Sequence, residues 1–299
     1  MQQTLPIEKR LDLHMHTVAS DGELQPEDLI ARCAAAGLST IAVTDHNSMA
    51  SVPRAAAACA TQGIDLIPAC EISTRWRERE HHCLAYFVPL DDDVFRARVE
   101  GVRRADIDRS RRWVDCAASE GFPISWEMVE ARCGADRVPP FSYLRQLLLE
   151  VTRGDSRMDP YRGEKPANLY GDWFARGKPL ATEAPYQPSL VEAIAWVREA
   201  GGVPVLAHPG ATLGDIEPEA AFVELRDAGL GGVEAWTTWH KEEQSQRFAT
   251  LATKVGLSVT AGADFHGPIV KPFVHNPGQV THNGPDVLEG LEDARAALR

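Results

Sequence analysis

Residues 11–22 read LDLHMHTVASDG, a strand-like run that breaks into a turn. Two leucines alternate with Asp12 and His14 as in a strand, and Ser-Asp-Gly is a common turn signal. Side chains two residues apart in a strand project to the same side, so His14 and His16 could bind one metal ion together. A lone His-x-His pair also arises by chance, and the residues further along the chain decide between the two interpretations.

Strand and helix signals alternate from Arg10 to about Leu90 and again from Ser189 onward. Strands are predicted at 11–14, 39–44, 64–70, 83–88, 203–207, 232–236 and 257–261. Helices are predicted at 26–36, 49–62, 189–200, 219–228, 241–255 and 284–299. This order is typical of a parallel sheet, and the seven strands predict an α/β, TIM-like barrel with one unit fewer than eight.

The alternation fails between about residues 91 and 188, where helical patterns replace it. A long helix is predicted at 92–120, shorter ones near 126–133, 141–151 and 169–176, and an exposed loop at 152–166. We interpret this region as a helical insertion. The predicted domains are therefore a barrel, 1–90 with 189–299, and an insertion, 91–188, that can act as a lid and set substrate specificity.

Most candidate metal ligands follow a predicted strand. The carboxyl ends of barrel strands converge on one rim, so residues far apart in sequence can meet there. The candidates are His14, His16, Asp21, His46, Glu71, His82, His208, Asp264 and His266. Nine ligands exceed the capacity of one ion, and imidazole with carboxylate suits Zn, Mn, Fe or Co rather than Ca. We expect two or three divalent ions, although any one of these side chains could be a helix cap or a solvated loop residue.

The motifs resemble those of the PHP family, the polymerase and histidinol phosphatase superfamily. They stand here as His14-Met15-His16, Thr44-Asp45-His46, Glu71-Ile72-Ser73, His208-Pro209 and Asp264-Phe265-His266. More narrowly, the chain resembles the stand-alone bacterial phosphoesterase branch, with its TrpH-like and cyclic phosphate dihydrolase-like members. The resemblance implies a distorted seven-stranded barrel and three metal sites, formed by His14, His16, Glu71 and Asp264; by Glu71, His82 and His208; and by Asp21, His46 and His266. His82 is preferred to His81 because HCLAY at 82–86 resembles the family's His-x-Leu-Gly-Tyr.

The chemistry we expect is direct hydrolysis of a phosphoester by metal-activated water, with Asp264 or a histidine such as His208 handling the proton. The substrate is expected to be a small phosphorylated metabolite, such as a phosphoribosyl cyclic phosphate or a nucleoside 3',5'-bisphosphate. Arg137 and Lys178 match family segments that meet the phosphate, but VPPF at 138–141 stands where that branch has a histidine. His240, after the sixth strand, could also reach the substrate.

The composition of the chain limits the classes of partner that we expect it to bind. Lys and Arg number 31 against 43 Asp and Glu, for a formal charge of -12, which disfavours long nucleic acid or an anionic membrane. Six scattered cysteines, no secretory leader in residues 1–10 and no long apolar run predict a cytoplasmic protein with no membrane segment. Three alternatives stay open: a ribonuclease that trims 5' ends, an amidohydrolase-type C–N hydrolase, and a non-catalytic metal-binding module.

Overall fold

Seven strands form one sheet in the part of the chain that the structure, a computed structural model, describes, residues 10–163 and 166–298. They are β1 Arg10–Asp12, β2 Leu38–Val43, β3 Asp65–Trp76, β4 Arg79–Tyr86, β5 Val203–Leu206, β6 Gly232–Thr237 and β7 Ser258–Gly262, and they pair in chain order. The edges approach each other, because the Leu13 N–H donates to the Ala261 carbonyl (3.0 Å) and the Asp264 N–H to the His14 carbonyl (2.7 Å). The predicted seven-stranded α/β barrel is confirmed.

One strand runs against the others. β4 is antiparallel to both β3 and β5, whereas all other pairs are parallel. The reason is the connection, since only Arg77 and Glu78 join β3 to β4, and both have positive φ, 48° and 61°. Such a two-residue loop makes a hairpin, and a parallel crossover needs about a dozen residues or more. The uniformly parallel sheet of the sequence analysis is therefore wrong at β4, and β3 extends beyond its predicted end.

The helices are α1 Pro26–Ala35, α2 Val52–Gln62, α3 Asp93–Ser119, α4 Trp126–Cys133, α5 Phe141–Val151, α6 Leu190–Glu199, α7 Pro209–Thr212, α8 Pro218–Asp227, α9 Glu242–Lys254 and α10 Pro285–Ala297. Local sequence explains several ends. α6 begins with a capping box between Ser189 and Glu192, and α2 ends at Gly63, whose φ of 67° suits glycine. None of the described helices is both long and apolar enough to span a membrane.

Contacts divide the chain into two compact units, residues 1–100 with 188–299 and residues 101–187. In the first unit, apolar side chains such as Leu13, Leu84 and Val205 form one buried cluster, and others cover the sheet beneath the helices. Tyr86 belongs to the same cluster, and its hydroxyl donates to the Leu13 carbonyl at 2.9 Å. These contacts hold β1, β4 and β5 in fixed positions, and candidate ligands lie on β4 and just beyond the ends of β1 and β5.

The second unit has its own apolar core, formed by side chains such as Trp113, Phe122 and Leu148. The predicted exposed loop at 152–166 contains a 3-10 helix, Ser156–Tyr161, whose Met158 is fully buried, so the prediction of an exposed loop is wrong there. A short π-helix follows at Tyr170–Phe174. Three sequence-based predictions fall partly outside the described residues. They are the absence of a leader, at residues 1–9, the exposed loop, at positions 164 and 165, and the final helix, at its last residue.

Candidate metal centre

Glu71 is the centre of the candidate site. It lies within β3 rather than after it, and its side chain is 1% exposed. Its Oε1 is 2.9 Å from His82 Nδ1 and 3.1 Å from His208 Nε2. His82 comes from the amino-terminal half of β4, and because β4 is antiparallel, this half lies beside the carboxyl end of β5. The reversed strand therefore delivers a histidine to the same rim as the parallel strands.

The other oxygen of Glu71 faces three more imidazoles. Oε2 is 3.0 Å from His14 Nε2, 3.2 Å from His16 Nε2 and 3.3 Å from His46 Nδ1. Asp264 Oδ1 lies 3.4 Å from His14 Nε2 and 3.2 Å from His16 Nε2. Both histidines have no exposed area. The His-x-His pair thus faces two carboxylates at once.

Asp21 faces a further set of histidines. Its carboxylate oxygens are 3.2 Å from His266 Nε2, 3.6 Å from His16 Nδ1 and 3.9 Å from His46 Nε2. The structure thus brings all nine predicted ligands into one cluster. Three groups within it have donor atoms close enough for one ion each: His16, Asp21, His46 and His266; His14, His16, Glu71 and Asp264; His46, Glu71 and His82.

Two residues that the sequence analysis did not assign hold the outer oxygen of Asp264. The Trp239 indole N–H donates to Oδ2 at 2.5 Å, and the buried Lys271 ammonium forms an ion pair with the same oxygen. Lys271 also lies over the Trp239 ring, 4.3 Å from its centroid. Lys271 lies in a loop beyond the last strand, where no sequence pattern identifies it.

Glu234 is a third residue that the sequence analysis missed. It is fully buried within β6 and contacts His14 Nδ1 at 2.8 Å and the His208 backbone N–H at 2.9 Å. A signal was available, because Glu234 is the one acid in the otherwise apolar predicted strand GVEAW at 232–236. A buried carboxylate requires partners, so an acid in such a strand indicates a polar interior site.

Asp45, the middle residue of the Thr44-Asp45-His46 motif, organises the loop after β1. Its carboxylate accepts hydrogen bonds from the Thr17 N–H, the Thr17 hydroxyl and the Ser20 hydroxyl, each at 2.7 Å, and from the Ser51 hydroxyl. Its backbone carbonyl accepts the Glu71 N–H at 3.2 Å. Asp45 therefore fixes the backbone between His16 and Asp21.

Burial and the neighbouring charged side chains shift the pKa values of the histidines and carboxylates in the cluster. Burial lowers the pKa of His16 and of His82, but the carboxylates around them prevail and set the values at about 9 and about 10. Burial lowers the pKa of His46 to about 3. Burial opposes ionisation of Glu71, yet the facing histidines hold the pKa of its carboxyl well below the ordinary range. Without metal, protons on imidazoles therefore balance the carboxylates.

Several buried atoms of the cluster have no hydrogen-bond partner among the described residues. They include His16 Nε2, His46 Nδ1 and Asp264 Oδ1, all of which face other ligand atoms. An unpaired buried polar atom costs about 1–3 kcal/mol, so such a set is stable only with a further partner. Imidazole nitrogen and carboxylate oxygen are the donors that Zn, Mn and Fe accept. The residues therefore fit divalent cations.

The remaining predicted residues lie elsewhere. His81 is on the other side of β4, with its ring 5.5 Å from Trp76, while His82 contacts Glu71. His240 Nδ1 lies 2.9 Å from the Ala235 carbonyl, and its Nε2 accepts the Gly210 N–H at 2.9 Å. Both of its ring nitrogens thus have backbone partners, and burial lowers its pKa. No contact of His240 supports a catalytic role or a substrate-binding role, and both stay predictions.

Arg137 and Lys178 belong to the second unit. Arg137 is half-buried and donates to the Cys133 carbonyl at 3.3 Å, whereas Lys178 is exposed. Their proposed contact with a substrate phosphate stays a prediction.

A known family model matches the first part of this chain. Residues 12–122 match the PHP domain model. The chain carries a PHP domain. The matched range includes the ligands from His14 to His82, while His208, Asp264 and His266 lie beyond it and meet them only in three dimensions.

Several curated proteins align with this chain over most of their own length. The chain is 27% identical over 260 residues to a 3',5'-nucleoside bisphosphate phosphatase of Chromobacterium violaceum, covering 86% of this chain and 87% of the relative. It is 26% identical to a 5'-3' exoribonuclease of Haemophilus influenzae, covering 87% and 91%. It is 26% identical to a phosphoribosyl 1,2-cyclic phosphate 1,2-diphosphodiesterase of Eggerthella lenta, covering 91% and 97%. A crystal structure described as a metal-dependent phosphoesterase of Bifidobacterium adolescentis is similar, with a TM-score of 0.79, 27% identity and 96% coverage of both chains.

Proposed function

We propose that this protein is a metal-dependent phosphoesterase that hydrolyses a small phosphorylated metabolite with water. The observation that carries the proposal is the cluster around Glu71, in which five imidazoles face one carboxylate and buried donor atoms lack partners. Relatives named as a bisphosphate phosphatase and a cyclic phosphate diphosphodiesterase, each aligned over most of both chains, support the same reaction class.

The ions that we propose are two or three of Mn, Fe or Zn, held by the nine side chains of the cluster. Glu71 would be shared between ions, because its two oxygens face different histidines. His16 would contribute one nitrogen toward Glu71 and Asp264 and lies with its other nitrogen toward Asp21. A bound divalent cation lowers the pKa of coordinated water and neutralises charge on phosphoryl oxygens.

Asp264 is the residue that we propose as proton acceptor for the attacking water. Burial opposes its ionisation, but Lys271 and His14 hold the pKa of its carboxyl well below the ordinary range, so it is ionised at neutral pH. Lys271 and Trp239 both occupy Oδ2, which leaves Oδ1 facing the cluster. His208, with Nε2 against Glu71, is the second proposed catalytic residue. No covalent nucleophile is required.

The substrate that we propose is a nucleoside 3',5'-bisphosphate or a cyclic sugar or nucleotide phosphate. A compact metal cluster handles one phosphate group, and the net charge of -12 disfavours a long polyanion. A second candidate is removal of nucleotides from a 5' end, favoured by the similarity to the Haemophilus exoribonuclease. That reaction needs only the phosphodiester after the first nucleotide at the metals.

The test is a comparison of substrates on one enzyme preparation. The protein is stripped with chelator, reloaded with Mn²⁺ and offered a nucleoside bisphosphate, a cyclic phosphodiester, a simple monoester, a 5'-phosphorylated RNA oligonucleotide and an amide. We expect phosphoester hydrolysis that depends on Mn²⁺, and in H₂¹⁸O one ¹⁸O atom in the phosphorus-containing product for each P–O bond that is hydrolysed. Hydrolysis of no phosphoester at all would refute the proposal, and cleavage of the amide alone would favour the amidohydrolase alternative.

A matched pair of histidine variants serves as a control. His16→Ala removes a buried residue of the cluster, whereas His282→Ala removes a partly exposed residue paired with Asp286 at 2.7 Å. We expect the first to abolish Mn²⁺-dependent hydrolysis and the second to retain it. Equal activity of both variants would show that the cluster is not the active site.

A further inference from the structure

Glu234 occupies a position where a carboxylate is costly. It is fully buried in β6 between the apolar Val233 and Ala235, and no atom of it reaches solvent. Burying a charge requires hydrogen bonds that replace water. Its two oxygens are divided between two partners: Oε1 contacts His14 Nδ1 at 2.8 Å, and Oε2 accepts the His208 backbone N–H at 2.9 Å.

The first contact sets the tautomer of His14. An ionised carboxylate can only accept hydrogen bonds, so Nδ1 must carry the proton. When the ring is neutral, its lone pair is then on Nε2, which lies 3.0 Å from Glu71 Oε2 and 3.4 Å from Asp264 Oδ1. A lone pair that faces two carboxylate oxygens is unfavourable unless a cation lies among them. Glu234 therefore orients His14 as a ligand.

The second contact supports a strained backbone. His208 has φ 28° and ψ 59°, outside the common regions for a residue with a side chain. Its N–H is bound by Glu234, and its Nε2 lies 3.1 Å from Glu71 Oε1. The Glu234 carboxylate thus holds the backbone of His208 and the ring of His14. These two histidines face different oxygens of Glu71.

Gly262 in β7 makes the arrangement fit. A Cβ at this position would lie 2.2 Å from His14 Cβ and 2.7 Å from Glu234 Oε1. Both distances are far shorter than real Cβ contacts, so only glycine allows this strand to pass behind the pair.

We propose that Glu234 is a positioning residue that fixes the His14 tautomer and the His208 backbone, and so couples metal binding on the two sides of Glu71. The proposal rests on the metal sites of the proposed function but does not depend on the substrate. A glutamine cannot replace both contacts. If its oxygen faces His208, its NH₂ faces His14 Nδ1 and shifts the ring proton to Nε2; if reversed, its NH₂ faces the His208 N–H.

The test measures Mn²⁺ binding by titration calorimetry for the wild type, Glu234→Gln and Glu219→Gln. Glu219 is a partly exposed residue paired with Lys254, so its variant is the matched control. We expect Glu234→Gln to weaken Mn²⁺ binding about 10- to 100-fold and Glu219→Gln to leave it unchanged. Circular dichroism at the titration temperature establishes that each variant is folded. Equal dissociation constants for Glu234→Gln and the wild type, even with a lower unfolding temperature, would overturn the proposal.

A second measurement needs no Glu234 variant. In the Zn²⁺-loaded wild type labelled with ¹⁵N-histidine, NMR is expected to show His14 protonated at Nδ1, with the signal assigned by its loss in His14→Gln. Protonation at Nε2 would overturn the proposal. A wild type that binds metal but hydrolyses no phosphoester would refute the proposed function and leave this inference intact, whereas a wild type that binds no divalent metal would refute both.

Discussion

The two oxygens of Asp264 have different neighbours, and this difference governs what the residue can do. Oδ2 is held by Trp239 and Lys271, while Oδ1 lies among His14, His16 and His266 without a hydrogen bond of its own. Since one oxygen is already saturated, we expect Asp264 to act on the metals and on the attacking water through Oδ1.

Replacing the buried cation tests this arrangement. Lys271→Met keeps the length of the side chain but leaves Asp264 without its ion-pair partner. Breaking a buried ion pair costs about 3–5 kcal/mol, so we expect a loss of about that size in the metal-free protein, measured by denaturant unfolding. With Mn²⁺ bound, the loss should be smaller because the metal neutralises the carboxylate.

An exposed lysine is the control. Lys254→Met removes an ion pair with Glu219 on the surface, and such pairs contribute about 0–1 kcal/mol. A loss for Lys271→Met that is the same with and without Mn²⁺ would contradict the idea that metal and ammonium share one carboxylate.

Individual ligands should differ in how many ions they hold. His14 contacts Glu71 and Asp264, whereas the carboxylate of Asp21 faces His16, His46 and His266. We expect His14→Ala to lower kcat/KM about 10³-fold, equivalent to ~4 kcal/mol, and to lose metal. Asp21→Ala should deplete chiefly one ion, as counted by elemental analysis. Identical metal content in the two variants would contradict the grouping.

At the scale of elements, the close passage of β7 behind the cluster is the most sensitive feature. Gly262→Ala would place a methyl group against His14 and Glu234. Overpacking of this kind costs about 1–3 kcal/mol, and here it should also weaken Mn²⁺ binding because it displaces a ligand. Thermal unfolding and calorimetric titration measure the two effects.

Gly101→Ala is the matched control for Gly262→Ala. Gly101 lies within α3, and a Cβ there would have no atom within 4 Å. Alanine should raise stability by about 0.5–1 kcal/mol in a helix, with no effect on Mn²⁺ binding. Unaltered metal affinity in Gly262→Ala would show that the strand can shift without moving the ligands.

For the whole molecule, the charge balance of the cluster predicts a pH dependence. The pKa values of His16 and His82 in the folded state are about 9 and about 10, above the ordinary 6.5. Protonation of these rings therefore stabilises the metal-free fold fully below pH 6.5, and that stabilisation is lost as the pH rises through about 9 and 10. We expect the metal-free protein to lose stability between about pH 7 and pH 9.

The Mn²⁺-loaded protein should lose less over the same range, because its ligands are already deprotonated. Buried thiols such as Cys70 and Cys83, whose pKa values burial raises, also favour the fold less as the pH rises. They contribute equally to both forms. The difference between two series of urea unfolding curves thus isolates the cluster, and equal slopes would contradict the prediction.

Much of the fold could be predicted because its signals are local. The alternation of strand and helix patterns, the glycine that ends α2 and the capping box of α6 act within a few residues. The ligand candidates were also readable, since strand ends in such a barrel converge whatever the loops contain. The structure brings all nine to one place, and their binding of metal stays a prediction.

The other features of the fold and of the candidate site depend on loop conformations and on contacts in the folded chain. The sequence by itself determined an α/β barrel with a helical interruption and a set of histidines and acids near its strand ends. Only the tertiary structure showed that β4 is reversed, that Glu234 lies behind His14 and that Lys271 pairs with Asp264. Glu234 and His14 are 220 positions apart, so periodicity and turn signals contain no information about their contact. The β3–β4 hairpin and the pair of Lys271 with Asp264 are local in sequence, but they depend on loop conformations that those signals do not specify.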